Sequence, residues 1–295
     1  MKPASIPALI LGCGYVGRRL AKQLLDAGSQ VTGLVRTAES AHSLRALGAQ
    51  ALVADLDAAT DLAPIPSAGS DCYYFMPPPG SGETDPRLRR VLASIDSAAL
   101  PQRIVYLSTS GVYGDCKGAW VDETHPLNPI TPRARRRADA ETALRAWSEA
   151  TGVPVVILRV PGIYGPGKLP LQRLRQGLPL LEEEASPYTN RIQVDDLIAV
   201  CRAAMARGRP GAAYNVSDGQ PSNMTDYFNR IADFTGLPRP PLVGRDAIDR
   251  LSPGMRGFME ESKRLDNRRM REELGVELRY PSLEAGLGAS LNEAS

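Results

Sequence analysis

The chain has 295 residues, of which 43% are hydrophobic, and its formal net charge is +2. This length fits one large α/β domain or a domain with a smaller lobe, and either can bury a substantial core. Lysine and arginine are spread along the sequence, so charge gives no reason to expect a nucleic-acid partner. No apolar stretch approaches the length of a membrane span, and we expect no membrane partner.

The four cysteines, Cys13, Cys72, Cys116 and Cys201, are far apart and form no C-x-x-C pair. This spacing indicates neither a zinc site nor a disulfide framework. We therefore expect free thiols, no bound metal and a cytoplasmic location, because the cytosol keeps thiols reduced.

The first predicted elements are a short apolar strand, a glycine-rich turn and an amphipathic helix, which together span residues 8–28 with GCGYVG at the turn. This order suits the pyrophosphate of a dinucleotide, which binds at the amides that open the helix. Gly12 permits a tight turn, Gly14 lets the backbone approach the phosphates, and Gly17 allows the helix to pack closely on the strand.

Apolar runs then alternate with amphipathic segments, and the runs are at 30–35, 51–55, 72–76, 103–108 and 155–160. Such alternation predicts an α/β fold with a Rossmann-like, doubly wound parallel sheet and a smaller C-terminal substrate lobe. We place the nucleotide-binding domain at 1–163 and the lobe at 164–295. The strand and helix pattern resumes at about 191–218, so we expect the chain to return to the sheet there. In this segment Asp195 and Asp196 are predicted to cap a helix.

The second strand ends at Arg36 and Thr37, where a fold that prefers NAD usually has an acidic residue for the ribose hydroxyls. A guanidinium suits the 2′-phosphate of NADP, and Thr37 can add a hydroxyl. The sequence therefore favours NADP, with NAD as the alternative cofactor. A further alternative is that Arg36 is a solvated arginine that binds no ligand. Asp55 ends the third strand, where it either contacts the edge of the cofactor's adenine or stabilises a turn.

The fourth strand ends in MPPPG at 76–80, at the carboxyl edge where open α/β sheets bind cofactors. Met76 and Pro77 begin a stiff segment with few hydrogen-bond donors. Two interpretations stay open, a wall beside the cofactor ribose and a rigid loop without a ligand.

Several further motifs carry a family resemblance, and they are LSTSGVYG at 107–114, LRVPGIYGPG at 158–167, RIQVDDL at 191–197 and YNVSDG at 214–219. With the glycine motif, they resemble the extended short-chain dehydrogenases, the NAD(P)-dependent epimerase/dehydratase group. The resemblance implies an oxidoreductase fold and further cofactor-binding positions at Tyr15, Val16, Leu56, Met76, Pro77, Ser108 and Pro161.

The chain departs from that family at its catalytic pair, which makes it similar to an atypical branch. The family's Tyr-x-x-x-Lys falls on Arg133 and Arg137 in PRARRRADAE. The family tyrosine relays a proton, and its lysine lowers the phenol pKa from about 10. Arginine has no lone pair to accept a proton, although Arg137 can still hold ribose hydroxyls. Thr109 matches the family residue that hydrogen-bonds the substrate oxygen.

Three further candidates for the acid or base are Tyr113, Tyr164 and His125, although both tyrosines match positions that are usually structural in the family. Asn215 either contacts substrate or ends a strand. The two arginines are either a solvated helix face or the site of an anion, because cations near a helix N-terminus oppose its dipole.

We read the chain as an NADP(H)-binding oxidoreductase or epimerase-like enzyme. Its substrate is expected to be small and polar, for example a nucleotide sugar or an anion, and its proton-transfer site is altered. The alternative is a protein that senses NADP(H) without turnover. The expected partner is a small-molecule substrate, and the expected assembly is a monomer or homodimer.

Overall fold

The structure is a computed structural model that describes residues 6–58, 63–251 and 260–291. The described residues form two compact units. The first contains the residues up to Thr109 with Pro132–Arg159 and Ile198–Ala213, and the second contains Ser110–Thr131, Val160–Leu197 and the residues from Tyr214 onward. The sequence placed 110–131 in the first domain and the returning segment at 191–218, whereas the observed return is 198–213.

The strands and helices of the described residues are numbered in chain order. The strands are β1 (Ala8–Leu11), β2 (Val31–Val35), β3 (Gln50–Val53), β4 (Asp71–Tyr74), β5 (Arg103–Thr109), β6 (Trp120–Val121), β7 (Val155–Val160), β8 (Gly162–Tyr164), β9 (Leu180–Leu181), β10 (Tyr188–Thr189), β11 (Arg191–Gln193), β12 (Ala213–Asn215), β13 (Ser222–Asn223), β14 (Leu242–Val243) and β15 (Arg264–Leu265). The helices are α1 (Tyr15–Asp26), α2 (Ala38–Ala46), α3 (Pro86–Ser94), α4 (Pro132–Thr151), α5 (Leu171–Arg175), α6 (Val194–Arg207), α7 (Met224–Thr235), α8 (Arg268–Leu274) and α9 (Leu283–Leu291).

A seven-stranded parallel sheet has the order β12-β7-β5-β4-β1-β2-β3. Every residue of β1 and of β7 is buried, as expected for strands covered on both faces. In register, Ala8 pairs with Val31 of β2 and with Asp71 of β4, so the three strands end at one carboxyl edge. The predicted Rossmann-like, doubly wound fold is confirmed.

The core of this sheet is continuous with helix α4. Tyr74 and Tyr106 from neighbouring strands pack with Leu144 of the helix, and each is at most 1% exposed. The helix begins with Pro132, whose fixed φ suits a first helical position. It ends before Gly152, which has a φ of 75° and so takes the left-handed conformation that stops a helix.

The second unit is built from short strand pairs and helices. Its pairs are β6 with β15, β8 with β11, β9 with β14 and β10 with β13. A separate apolar core gathers around Tyr164, Phe228 and Leu287.

Asp196 differs from its predicted role as a helix cap. Its two carboxylate oxygens accept from the backbone N–H groups of Arg279 (2.8 Å) and Tyr280 (2.9 Å). The side chain therefore fixes a distant segment of the second unit rather than the start of its own helix.

Among the described residues, no helix has both the length and the apolar character that a membrane crossing requires.

Candidate functional site

The glycine-rich turn between β1 and α1 has a different environment at each glycine. Gly12 has a φ of 94°, and a Cβ there would lie 2.6 Å from Met76 N. A Cβ at Gly17 would lie 2.9 Å from Gly12 O, so the helix and strand need glycine to approach this closely. A Cβ at Gly14 would meet nothing within 4 Å. Two glycines are thus required by the fold, and Gly14 borders open space.

The start of α1 is suited to an anion. Gly14 is its N-cap residue and supplies no side-chain capping bond, and no acidic residue lies in the first turn. The helix N–H groups and dipole therefore keep their capacity for a negative group. Tyr15 lies at the helix start with the Arg19 guanidinium 4.0 Å from its ring centroid, and Val16 is buried.

Arg36 and Thr37 follow β2 at the same carboxyl edge. Arg36 is exposed, and it makes no hydrogen bond or ion pair within residues 6–58, 63–251 and 260–291. Thr37 is the N-cap of α2, and its Oγ1 accepts from Ser40 N at 3.2 Å. The threonine hydroxyl is thus already used by the helix, whereas the arginine is available to a ligand.

Asp55 and Leu56 follow β3. Asp55 is exposed, and its Oδ1 accepts from Asp57 N at 3.0 Å, which is an aspartate turn. Leu56 is 4% exposed, and its carbonyl accepts from Arg90. This geometry matches the turn interpretation of Asp55, and its contact with an adenine stays a prediction.

The segment after β4 is held by arginines that bind its carbonyl oxygens. Arg87 Nη1 donates to Pro77 O at 2.9 Å and to Pro78 O at 3.3 Å. Arg136 Nη1 donates to Gly82 O at 2.6 Å. The proline segment is therefore rigid by its bonds as well as by its composition, and its contact with a cofactor ribose stays a prediction.

Arg137 is committed to the interior of the first unit. It is 7% exposed, and its Nη1 donates to Met76 O and to Tyr106 Oη, each at 3.0 Å. Burial raises the pKa of Tyr106 to about 12, so the phenol stays neutral beside this cation. These bonds differ from the ribose contact that the sequence predicted, which would have to use the other N–H groups of Arg137.

Arg133 has the opposite environment one helical turn earlier. It is exposed, and no residue within the described part of the chain forms a hydrogen bond or ion pair with it. Partial desolvation and the charges of Arg137 and Arg136 lower its pKa below the usual value. Its guanidinium is still a permanent cation, so it cannot accept a proton near neutral pH.

Ser108 and Thr109 end β5 with different partners. Ser108 Oγ donates to Glu141 Oε1 at 2.5 Å, and Arg159 Nη2 donates to Glu141 Oε2 at 2.9 Å in a buried ion pair. The Ser108 side chain thus belongs to a buried network, whereas Thr109 is half-buried at the carboxyl edge.

In the second unit, the tyrosines considered as substitute acids are structural. Tyr113 Oη donates to Asn215 Oδ1 at 2.7 Å, and Asn215 Nδ2 donates to Val121 O at 3.1 Å. Tyr164 Oη donates to Ser282 O at 3.3 Å, and burial raises the pKa of this phenol. Asn215 is fully buried, which favours its strand-end interpretation.

Pro161 also lies in this unit and is half-buried.

The sequence patterns did not identify Arg136 or Tyr106 as part of the site. Arg136 fixes the segment after β4, and Tyr106 shares Arg137 with Met76. The spacing of three between Arg133 and Arg136 places them on one helix face and was the available signal. Nothing local marks Tyr106, because its partner is 31 residues away.

Comparison with known proteins matches residues 8–217 to the model of the NAD dependent epimerase/dehydratase family. The protein YeeZ of Escherichia coli K12 is 29% identical over 283 residues, which cover 92% of this chain and 95% of that protein.

Two solved structures illustrate the structural similarity. A functionally unknown conserved protein from Silicibacter pomeroyi DSS is 35% identical, with a TM-score of 0.80, and the match covers 97% of this chain and 98% of that chain. The dTDP-glucose 4,6-dehydratase DesIV from Streptomyces venezuelae, solved with NAD bound, is 21% identical, with a TM-score of 0.79 and coverage of 97% and 95%. The similarity to DesIV shows the fold alone.

Proposed function

Because this chain belongs to the NAD dependent epimerase/dehydratase family, we propose that it binds NADP(H) in its first unit and acts as an oxidoreductase or epimerase-like enzyme on a small polar substrate. The observation that carries the proposal is the glycine-rich turn. Gly12 and Gly17 are required by the packing, while Gly14 opens a helix without an acidic first turn. These features fit a pyrophosphate.

The choice of NADP over NAD is supported by Arg36. It follows β2 and forms no hydrogen bond or ion pair with a described residue, while Asp57, whose pKa its charge helps to lower, is already paired with Arg87. A guanidinium makes charge-assisted, bidentate bonds to a phosphate, which NAD lacks at the ribose 2′ position.

The resemblance aligns Thr109, Arg133 and Arg137 with the family's catalytic residues, and these three side chains are poor acids and bases near neutral pH. A bound nicotinamide supplies hydride transfer. The family resemblance assigns Thr109 the hydrogen bond to the reacting oxygen, but an aliphatic hydroxyl does not exchange a proton readily near neutral pH. The guanidinium groups of Arg133 and Arg137 have no lone pair that can accept a proton. We infer that the proton is exchanged with water rather than through a Tyr–Lys relay.

The test is calorimetric titration with NADPH and NADH, followed by measurement of nicotinamide oxidation or reduction with a panel of keto acids and sugar nucleotides. We expect tighter binding of NADPH and slow turnover that Thr109→Val reduces. Preference for NADH would remove the NADP assignment. Turnover that Thr109→Val leaves unchanged would remove Thr109 from the mechanism.

A second candidate is a sensor of NADP(H) without turnover. It is favoured by Arg137, which the resemblance aligns with the family's lysine, because this side chain is buried and bonded to Met76 O and Tyr106 Oη. A sensor would bind NADPH and NADP⁺ with different affinities and give no nicotinamide turnover with any member of the panel. Turnover with one substrate decides for the enzyme.

A further inference from the structure

The N-terminal part of α4 carries four arginines within five positions, and three of them have partners in the first unit. Arg135 pairs with the Glu83 carboxylate, Arg136 donates to Gly82 O, and Arg137 donates to Met76 O. Arg133 makes no such bond with any described residue. It is therefore the one member of this arginine cluster that forms no hydrogen bond or ion pair with a described residue.

The position of Arg133 is unfavourable for the folded protein by itself. A cation in the first turn of a helix opposes the helix dipole, and this first turn contains no acidic residue. The charges of Arg137 and Arg136 also act on Arg133 and oppose its protonated form. A ligand anion would offset both effects, because it attracts all three cations at once.

A second feature of the cluster is independent of the helix terminus. Arg136 is only 6% exposed, and its Nε is buried without a hydrogen-bond acceptor in the described part of the chain. A buried N–H group without an acceptor is costly, and native proteins rarely keep one without a reason. Arg133 and Arg136 are three positions apart, so they lie on neighbouring positions of one helix face.

The cluster lies at the carboxyl edge of the sheet, where the dinucleotide motif also lies. Arg137 donates a hydrogen bond to Met76 O. Met76 in turn packs against Gly12, because a Cβ added at Gly12 would lie only 2.8 Å from Met76 Cα. Arg133 is four residues earlier, about 6 Å along the helix axis. An anion held by Arg133 would thus lie at the edge that the glycine-rich turn occupies.

We propose that Arg133, with Arg136 and Arg137 behind it on α4, binds a carboxylate or phosphate group of the substrate. The substrate is therefore an anion, and its charged group takes the position that the tyrosine of the family would occupy. Only the identification of the anion as substrate rests on the proposed function, since the anion site is defined by the arginines of α4.

The experiment compares wild type with Arg133→Gln and Arg133→Lys, and uses Arg135→Gln as the matched control. The control removes the same charge two positions away, from an arginine that already has the Glu83 carboxylate. Malonate and inorganic phosphate are titrated by calorimetry at constant ionic strength, adjusted with chloride, with and without saturating NADPH. Malonate probes a carboxylate site and phosphate a phosphate site.

We expect one of the two anions to bind wild type and Arg135→Gln equally, and to bind Arg133→Gln at least about ten-fold more weakly. Arg133→Lys should recover part of the loss, because it keeps the charge without the planar fork. Equal binding to wild type and Arg133→Gln, or no binding of either anion, overturns the site.

Two further results separate this inference from the proposed function. If the anion competes with NADPH, the site holds the cofactor's own phosphate and the substrate assignment is overturned. If wild type fails to bind NADPH but binds the anion through Arg133, the proposed cofactor is wrong and the anion site stands.

Discussion

Arg36 is a residue whose contribution can be measured alone. It is exposed and forms no hydrogen bond or ion pair with a described residue, so its removal costs the folded protein little. We expect Arg36→Ala to weaken NADPH binding by about 1.5–3 kcal/mol, roughly ten-fold to over a hundred-fold, and to leave NADH binding nearly unchanged. Calorimetry with both nucleotides measures the two affinities.

Arg45→Ala is the control for this prediction, because it removes an exposed arginine from the other end of α2, where Nη2 donates to Ala51 O at 3.2 Å. A similar loss of NADPH affinity in both variants would indicate a general effect of charge and would contradict a specific contact with the 2′-phosphate.

Arg137 has a structural role at the same scale. Arg137→Met keeps much of the side-chain volume but leaves Met76 O and Tyr106 Oη without their donor. We expect a loss of about 2–4 kcal/mol in the free energy of unfolding, measured with urea at neutral pH. Arg135→Met removes an arginine whose pair with Glu83 is solvent-exposed, and it should cost less than about 1 kcal/mol. Equal losses would show that the two buried bonds contribute little.

The glycine-rich turn makes a prediction at the scale of an element, because two neighbouring glycines should fail in different ways. Gly14→Val adds its side chain to open space and should fold normally while losing nucleotide binding. Gly17→Val would bring its Cβ within 2.9 Å of Gly12 O and should lower the stability of the protein directly.

Thermal unfolding and NADPH titration on both variants check the pair. If Gly14→Val binds NADPH as tightly as wild type, the nucleotide lies elsewhere. If Gly17→Val unfolds at the wild-type temperature, the close packing of helix and strand is not required.

At the scale of the whole molecule, the sequence predicts the parts of the fold that depend on local pattern. The strand at 155–160 was predicted closely, because a buried run of β-branched residues is a local signal. The glycine-rich turn was likewise readable from spacing.

Bonds between distant residues could not be predicted. The partners of Asp196 are more than 80 residues away along the chain, and those of Arg137 are 61 and 31 residues away. Sequence patterns therefore identified Arg137 as unusual, but only the structure shows that its guanidinium group forms hydrogen bonds inside the first unit.

Asp218 in the second unit allows the dependence of stability on pH to be predicted. The residue is 5% exposed, its Oδ1 accepts from Gln220 N at 2.9 Å, and its Oδ2 has no hydrogen-bond partner among the described residues. Burial raises the pKa of this carboxyl to about 6, even though the bond from Gln220 N and the nearby Arg191 charge oppose the shift.

The direction in which pH changes the stability follows from the raised pKa of Asp218. Between pH 4 and pH 6 the folded protein keeps a proton on Asp218 that the unfolded chain releases, so stability from this group is complete below about pH 4 and is lost as pH rises through about 6. The loss can reach about 3 kcal/mol for a shift of roughly two pKa units. Asp218→Asn should lose this dependence, because an amide can still accept from Gln220 N but does not titrate.

Urea unfolding at several pH values from 4.5 to 7.5 checks the expectation. The free energy of unfolding of Asp218→Asn should improve relative to wild type as pH rises, by up to about 3 kcal/mol. Asp96→Asn provides the reference slope, because Asp96 Oδ1 accepts from Ala98 N at 2.8 Å in a turn of the same kind at an exposed position. If both variants change with pH by the same amount relative to wild type, burial of Asp218 does not shift its protonation.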